Sequence, residues 1–420
     1  MTVAAPVGLL PEFDNLLRPD LIADPYAVYD RWRPIDPVHW NAHLDAWLLL
    51  RYDDVLSLLS DHDLLSSDRT EAFTAHLTDA ERERFRAFIS VRKRMLLYND
   101  PPRHTELRKP VQRGMSVRLV NGMRAKIQDI ADGLVDDVIE QGEMDGIQDI
   151  GYRLPVIVNS ELIGVPVADR DKVKDWTADF IAAINAGGAN VGTSDLERGQ
   201  NAVLAMGEYF PALARRKREN PADDLLSSLV QRRERPLSDE DLVATCIVLM
   251  FAGLETALNL VGNGLLALLR HEDQMRQLQA DPSLTPAAVE EILRYDGPLH
   301  LVGRRATRTF ELHGRTIRAE DKVLVMLGAA NRDPDMFADP GRLDIHRRPN
   351  QHVSFSHGVH YCPGAELSRI LGQTAFDTIL RRLPDLRLGD GELEYQPNLS
   401  FRGLRTLPLS FSPGRRLADR

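Results

Sequence analysis

Over most of the chain apolar residues recur every three or four positions, the spacing of helices with one buried face. The clearest runs are 119–141, 168–186, 196–218 and 223–232, each read as a helix. From 242 to 269 polar residues nearly vanish, and Ser238-Asp239-Glu240 just before them is a helix-start signal, so one long central helix is expected. Asp24-Pro25 opens a short helix, Tyr52 to Leu59 forms another, and 69–97 is charged with weak helical periodicity. Alternation of period two is confined to short stretches. Val38-His39-Trp40 and Trp47 to Leu50 read as a hairpin around Asn41 to Asp45, and 310–317 as a small sheet turning at Gly314. The chain closes with an apolar helix over 367–383 and a short hairpin whose tip holds Leu399-Ser400-Phe401. The fold class is mainly α with small β-sheets.

The chain has 420 residues and is 43% hydrophobic, enough for a large core. No Ser/Gly-rich or Pro-rich tract divides it and no internal repeat is found, so a single domain over 1–420 is expected. The cluster Gly187-Gly188-Ala189-Asn190-Val191-Gly192 reads as an ordinary helix connection or as a lid over a pocket. The apolar run 242–269 is long enough to span a membrane. It carries Glu255 near its middle and Asn259 and Asn263 beyond, which is costly in lipid, so a buried core helix is expected. Residues 1–15 lack the basic and apolar regions of a leader or anchor. A net charge of −10 argues against general nucleic-acid binding. Cys246 and Cys362 make no disulfide framework, which fits a reducing cytoplasm.

Four stretches carry candidate chemistry. In 355–369 a cysteine stands among Gly358, Pro363 and Gly364, just before a helical pattern. An isolated cysteine is commonly a small buried hydrophobe. A turn and helix start, however, aim backbone N–H groups at a sulfur and favour its thiolate, a good axial ligand for haem iron. In Ala252-Gly253-Leu254-Glu255-Thr256 a glycine weakens the central helix just before an acid and a hydroxyl. Thr256 could bond its own helix, and Glu255 could be a paired structural carboxylate. Residues 103–118 hold five cations, Arg103, Arg108, Lys109, Arg113 and Arg118, against Glu106. Such a run is commonly a solvated face. Glu291 and Arg294, three apart, share a helix face.

Together these stretches resemble the cytochrome P-450 family. The pattern Phe355-x-x-Gly358-x-His360-x-Cys362-x-Gly364-x-x-Leu367-x-Arg369 is similar to its haem-binding signature, with Ser356 where the family has Gly and Ser368 where it has Ala. Asp100-Pro101-Pro102-x-His104-x-x-x-Arg108, Ala252-Gly253-x-Glu255-Thr256 and Glu291-x-x-Arg294 resemble further family elements, in family order, and the likeness runs from about 24 to 411.

The resemblance implies a haem-thiolate monooxygenase with haem b ligated by Cys362 and O2 as co-substrate. Phe355, Gly358, Gly364, Ala252 and Gly253 would line the cofactor. His104, Arg108, Arg304 (with Arg305 as the near alternative) and His360 would hold its propionates. His360 could instead cap its own loop. Thr256 would stand beside the O2 site and Glu255 would relay protons. Glu291 and Arg294, joined by Arg342, would support the fold. Val248, Met250, Phe251, Leu299, Leu301, Val302 and Phe401 are candidate walls for a small, largely apolar substrate, though all are ordinary core types. Without a fused reductase, electrons would come from a ferredoxin docking near Arg103, Lys109, Arg113, Arg347 and Arg348. Two alternatives share the fold: a haem-thiolate catalyst of ring coupling, desaturation or peroxygenation, and a haem-binding domain without catalysis.

Overall fold

The computed structural model describes residues 15–185, 193–231 and 236–417. The expected lid at Gly187 to Gly192 lies outside them. Helices dominate. The strands among the described residues are β1 (Val38–Asn41), β2 (Ala46–Leu49), β3 (Leu65–Ser66), β4 (Glu143–Asp145), β5 (Val302–Ala306), β6 (Phe310–Leu312), β7 (Arg315–Ile317), β8 (Lys322–Val325), β9 (Arg387–Leu388) and β10 (Pro408–Ser410). Contacts gather into two compact units, one of residues up to 66, 127–154 and 255–420, the other of 67–126 and 155–254.

The first unit holds every one of these strands. β1 and β2 form the expected antiparallel hairpin, with Trp40 opposite Trp47. β8 joins β2 in parallel, β5 runs antiparallel to β8, and β3 completes the order β1-β2-β8-β5-β3. Side chains alternate across this sheet. Trp47, Leu49, Val323 and Val325 enter one apolar cluster, and Leu48, Leu50, Leu324 and Met326 enter another around Trp32. Both faces are therefore buried.

The second unit is helical apart from its turns. Phe88 packs on Phe180 at 5.4 Å between ring centres, and Phe180 on Phe251 at 5.6 Å. Gly199 lets helix 193–219 close on helix 170–185: a methyl there would sit 2.4 Å from the Ala183 methyl. Among the elements that escaped the sequence pattern are a π-type turn over Gly146–Tyr152 and the helix Arg153–Ile163.

The central helix runs Asp239–Arg270. Ser238 Oγ accepts from Asp241 N at 3.1 Å, and three acids fill the first turn, where the helix dipole favours them. It is the one described helix long and apolar enough to cross a membrane, and 72% of its most apolar window is buried in the protein.

Candidate active site

The cysteine loop is fixed by its own backbone. Cys362 N donates to Phe355 O at 2.9 Å and Tyr361 N to Gly358 O at 3.1 Å, while Gly364 caps the helix Ala365–Arg382. Gly358 has φ +67°, and a side chain there would meet Leu59 O at 2.6 Å. Ser356 also has positive φ, +61°, so the place where the resemblance expects Gly is one where glycine is the unstrained residue. Phe355 is buried, and Cys362 and His360 are half-buried.

Charged pairs brace this loop from helix Thr285–Asp296. Arg369 forks onto Glu290 at 2.7 and 3.0 Å and stacks over Phe355, 4.7 Å from its centre. His352 meets the same carboxylate at 3.1 Å. These hydrogen bonds outweigh burial and hold Glu290 down to about 2. One residue on, Glu291 and Arg294 form a fully buried bidentate pair at 2.7 and 2.8 Å. Glu291 also accepts from Asp344 N (2.9 Å), Arg347 Nε (3.2 Å) and Asn350 Nδ2 (3.2 Å).

The expected third member, Arg342, is corrected here. Its side chain is exposed and it contributes only its carbonyl, to Arg294 at 3.1 Å. The second guanidinium on Glu291, beside that of Arg294, belongs to Arg347. Arg347 is thereby removed from the expected docking face, because its side chain is only 10% exposed. Arg103 is likewise engaged, by Asp241 at 2.6 Å and Glu106 at 3.3 Å. Lys109, Arg113 and Arg348 are exposed.

In the middle of the central helix burial gives way along one stripe. Ala252 is exposed, and Leu249, Gly253 and Thr256 are half-buried, between residues that are nearly all buried. Positions 249, 252, 253 and 256 have the spacing of a single helix face. Leu249 was not expected at the site, because a helix apolar all round does not reveal which face opens. Gly253 is required by a neighbour: a side chain there would strike both amide atoms of Asn159, at 2.8 Å each. Asn159 is buried, its Nδ2 makes no hydrogen bond, and it comes from the helix the pattern missed. Glu255 is half-buried, its Oε2 has no hydrogen-bond partner, and burial pushes its carboxyl above the usual range.

The expected pocket walls divide. Phe251 packs on Phe180 and Met250 is buried, both off the open stripe, so both are core. Leu301 enters the cluster of Trp32 and Leu324, and is core as well. Val248 is buried at the margin of the stripe, and Leu299 and Val302 are partly buried. Leu299 forms a single antiparallel bridge with Phe401.

Among the cations, His104 and Arg108 lie four apart on helix Arg103–Gly114, both buried. Arg304 is buried on β5 with its guanidinium donating to Gly303 O at 2.9 Å, whereas Arg305 pairs with Glu320 at 2.5 Å. Arg304 is the cation withheld from solvent. The donor chemistry fits a haem: a thiol on a braced loop, buried guanidinium and imidazole groups suited to carboxylates, and a small-residue opening in an otherwise buried helix.

The comparisons agree. The cytochrome P-450 family model matches residues 200–384. The cytochrome P-450 monooxygenase PikC of Streptomyces venezuelae is 38% identical over 96% of this chain and 94% of its own length. The vitamin D(3) 25-hydroxylase of Pseudonocardia autotrophica is 38% identical over 93% of this chain and 94% of its own. A crystal structure of P-450 BioI, in complex with an acyl carrier protein ligated to hexadec-9Z-enoic acid, is 33% identical. It superposes with a TM-score of 0.86 over 94% of this chain and 99% of that one. The chain belongs to the cytochrome P-450 family. It is a haem-thiolate monooxygenase, an oxidoreductase that uses O2 to oxidise small organic molecules.

Proposed function

We propose that Cys362 is the axial thiolate of a haem b, and that Glu255 and Thr256 serve the O2 site. One observation carries the reading: a central helix buried almost throughout opens at Ala252, Gly253 and Thr256, with a half-buried acid beside them. When bound, a thiolate-ligated haem supplies O2 activation and oxygen transfer. The chain's residues do the rest. His104, Arg108, Arg304 and His360 hold the propionates. Phe355, Gly358 and Gly364 shape the loop that presents the sulfur. Ala252 and Gly253, the small residues of the opening, would leave room for the cofactor. Glu255, whose carboxyl burial pushes above the usual range, gives up and regains a proton there, and the Thr256 hydroxyl orients that proton's path.

The substrate is small and largely apolar, met by Leu299, Val302 and Phe401. The fatty chain carried by the BioI complex supports a substrate with a long apolar part, free or held on a carrier. The whole chain acts as one catalytic domain in the cytoplasm. A ferredoxin delivers electrons at Lys109 and Arg113, exposed and four apart on one helix, so their reversal to Glu and added salt both slow reduction.

The test is the reduced protein under carbon monoxide. A Soret band at the long wavelength of thiolate ligation is expected, and Cys362→Ala abolishes it. Purified wild-type protein that holds no haem, or binds its iron through nitrogen, overturns the reading.

A further inference from the structure

The two asparagines of the central helix have no part in the mechanism above. Asn259 and Asn263 lie three and seven residues beyond Thr256, on its side of the helix, and are about 1% exposed. Asn263 Nδ2 donates to Arg402 O at 2.9 Å and to Asp296 O at 3.1 Å. The Asn259 amide packs against Gly403: a methyl at 403 would fall 1.8 Å from its Oδ1 and 2.9 Å from its Nδ2. Neither amide atom of Asn259 makes a hydrogen bond. A buried amide left this way weakens the fold, so an apolar residue of that shape would hold the helix better.

Both asparagines receive the loop that carries Phe401. That loop is bound on its other side too. Arg402 donates from Nε to Asp296 Oδ1 at 2.6 Å, and its terminal nitrogens donate to Ile22 O (2.6 Å) and Ala23 O (3.0 Å). Arg402 N bonds Pro298 O at 2.9 Å and His300 N bonds Ser400 O at 2.8 Å, bracketing the Leu299–Phe401 bridge. The two wall residues therefore have little freedom relative to Thr256.

We infer that Asn259, Asn263 and Gly403 are positioning residues for specificity: they fix the Phe401–Leu299 wall to the helix bearing Thr256, and so set the gap into which the substrate fits. The inference rests on the haem-thiolate reading and on Phe401 as wall. It makes the gap a property of helix and loop together, so loosening the seat should alter selection by size while leaving the cofactor alone.

Two nitrogen ligands of different reach test it in the haem-loaded full chain, read by the Soret shift. Imidazole reaches iron without a wall, and 4-phenylimidazole needs room for its ring. Asn263→Leu, which keeps the branching of the side chain but removes both hydrogen bonds, and Gly403→Ala, which pushes the loop off Asn259, should each change 4-phenylimidazole affinity by about fivefold or more. Imidazole affinity and the carbon monoxide band should stay as in wild type. Phe401→Ala should shift the same ligand only, and Asn263→Gln, which keeps a donor, should return part of the effect. If both ligands change in parallel, the residues merely stabilise the fold and the inference is overturned. It is also overturned if neither ligand changes in either variant. A wild-type chain giving no shift with imidazole overturns the haem reading, and this inference with it.

Discussion

The cysteine loop and the middle of the central helix, to which the proposed function gives one shared chemistry, are built in different ways. Around Cys362 charges are held by several partners: Glu291 accepts from four residues, and Arg369 forks onto Glu290 while stacking on Phe355. Around Gly253 polar atoms are left wanting, with Glu255 Oε2, Asn159 Nδ2 and both amide atoms of Asn259 lacking hydrogen bonds. A ligand that must not move calls for more constraints than degrees of freedom. A carboxyl that must lose and regain protons is useless if its ionised form is locked by a cation. Charged pairs thus distinguish the first region, and a carboxyl held by no cation the second.

The largest effect should come from breaking the constrained region. Glu291→Ala leaves Arg294 buried without its counter-ion and should cost about 3–5 kcal/mol, read as a lowered denaturation midpoint together with loss of haem. Within that network Arg347→Ala should cost about 1.5–3 kcal/mol, because it deletes a charged hydrogen bond. Arg342→Ala should stay within about 0.5 kcal/mol, since its carbonyl remains. The reverse order would restore Arg342 to the pair.

Next in size is Glu255→Gln in the open region. It should slow turnover by about 100-fold with a proton-transfer role lost, yet leave the melting temperature unchanged or raised, because it removes a buried carboxylate that no partner compensates. Equal loss of stability and rate would show a structural carboxylate instead.

A smaller gain is expected from Ser356→Gly. Relieving a positive φ on a non-glycine residue should stabilise the chain by about 0.5–1 kcal/mol in denaturant melts, with an unaltered carbon monoxide band.

The sharpest contrast is in acid. Glu290 is depressed to about 2, so its contribution is complete above the ordinary value of 4.5 and drains away as pH falls from 4.5 toward 2. Glu255 is raised, so its ionised form weakens the fold at high pH, and this weakening is relieved as pH falls through its raised value to 4.5. Stability profiles of Glu290→Gln and Glu255→Gln against wild type should therefore differ with opposite slopes. Matching slopes would erase the distinction between the regions.

Much of this was legible in the chain because the chemistry uses rare residue types in fixed order. A cysteine between glycines, and an acid and a hydroxyl in an apolar run, stand out without a structure, and the hairpin at 38–49 and the central helix followed from period alone. Three things did not. The helix Arg153–Ile163 follows a π-type turn that shifts the phase of its apolar positions, so Asn159 went unseen. The open stripe at Leu249 depends on what lies opposite a helix that is apolar on every side, where Phe251 and Met250 are buried. Arg347 replaced Arg342 because the meander has no period to count by, and which guanidinium reaches Glu291 is decided by loop geometry.

Gly358 bears on how such proteins can be recombined. Its backbone nestles against Leu59 and Ser60, at the end of helix Tyr52–Ser60, where not even one methyl group has space. The signature segment is consequently no portable cassette. A chimera importing 355–369 from a relative must bring a matching 52–60 with it, though some three hundred positions of chain separate the two. Recipients given one without the other should surrender their cofactor.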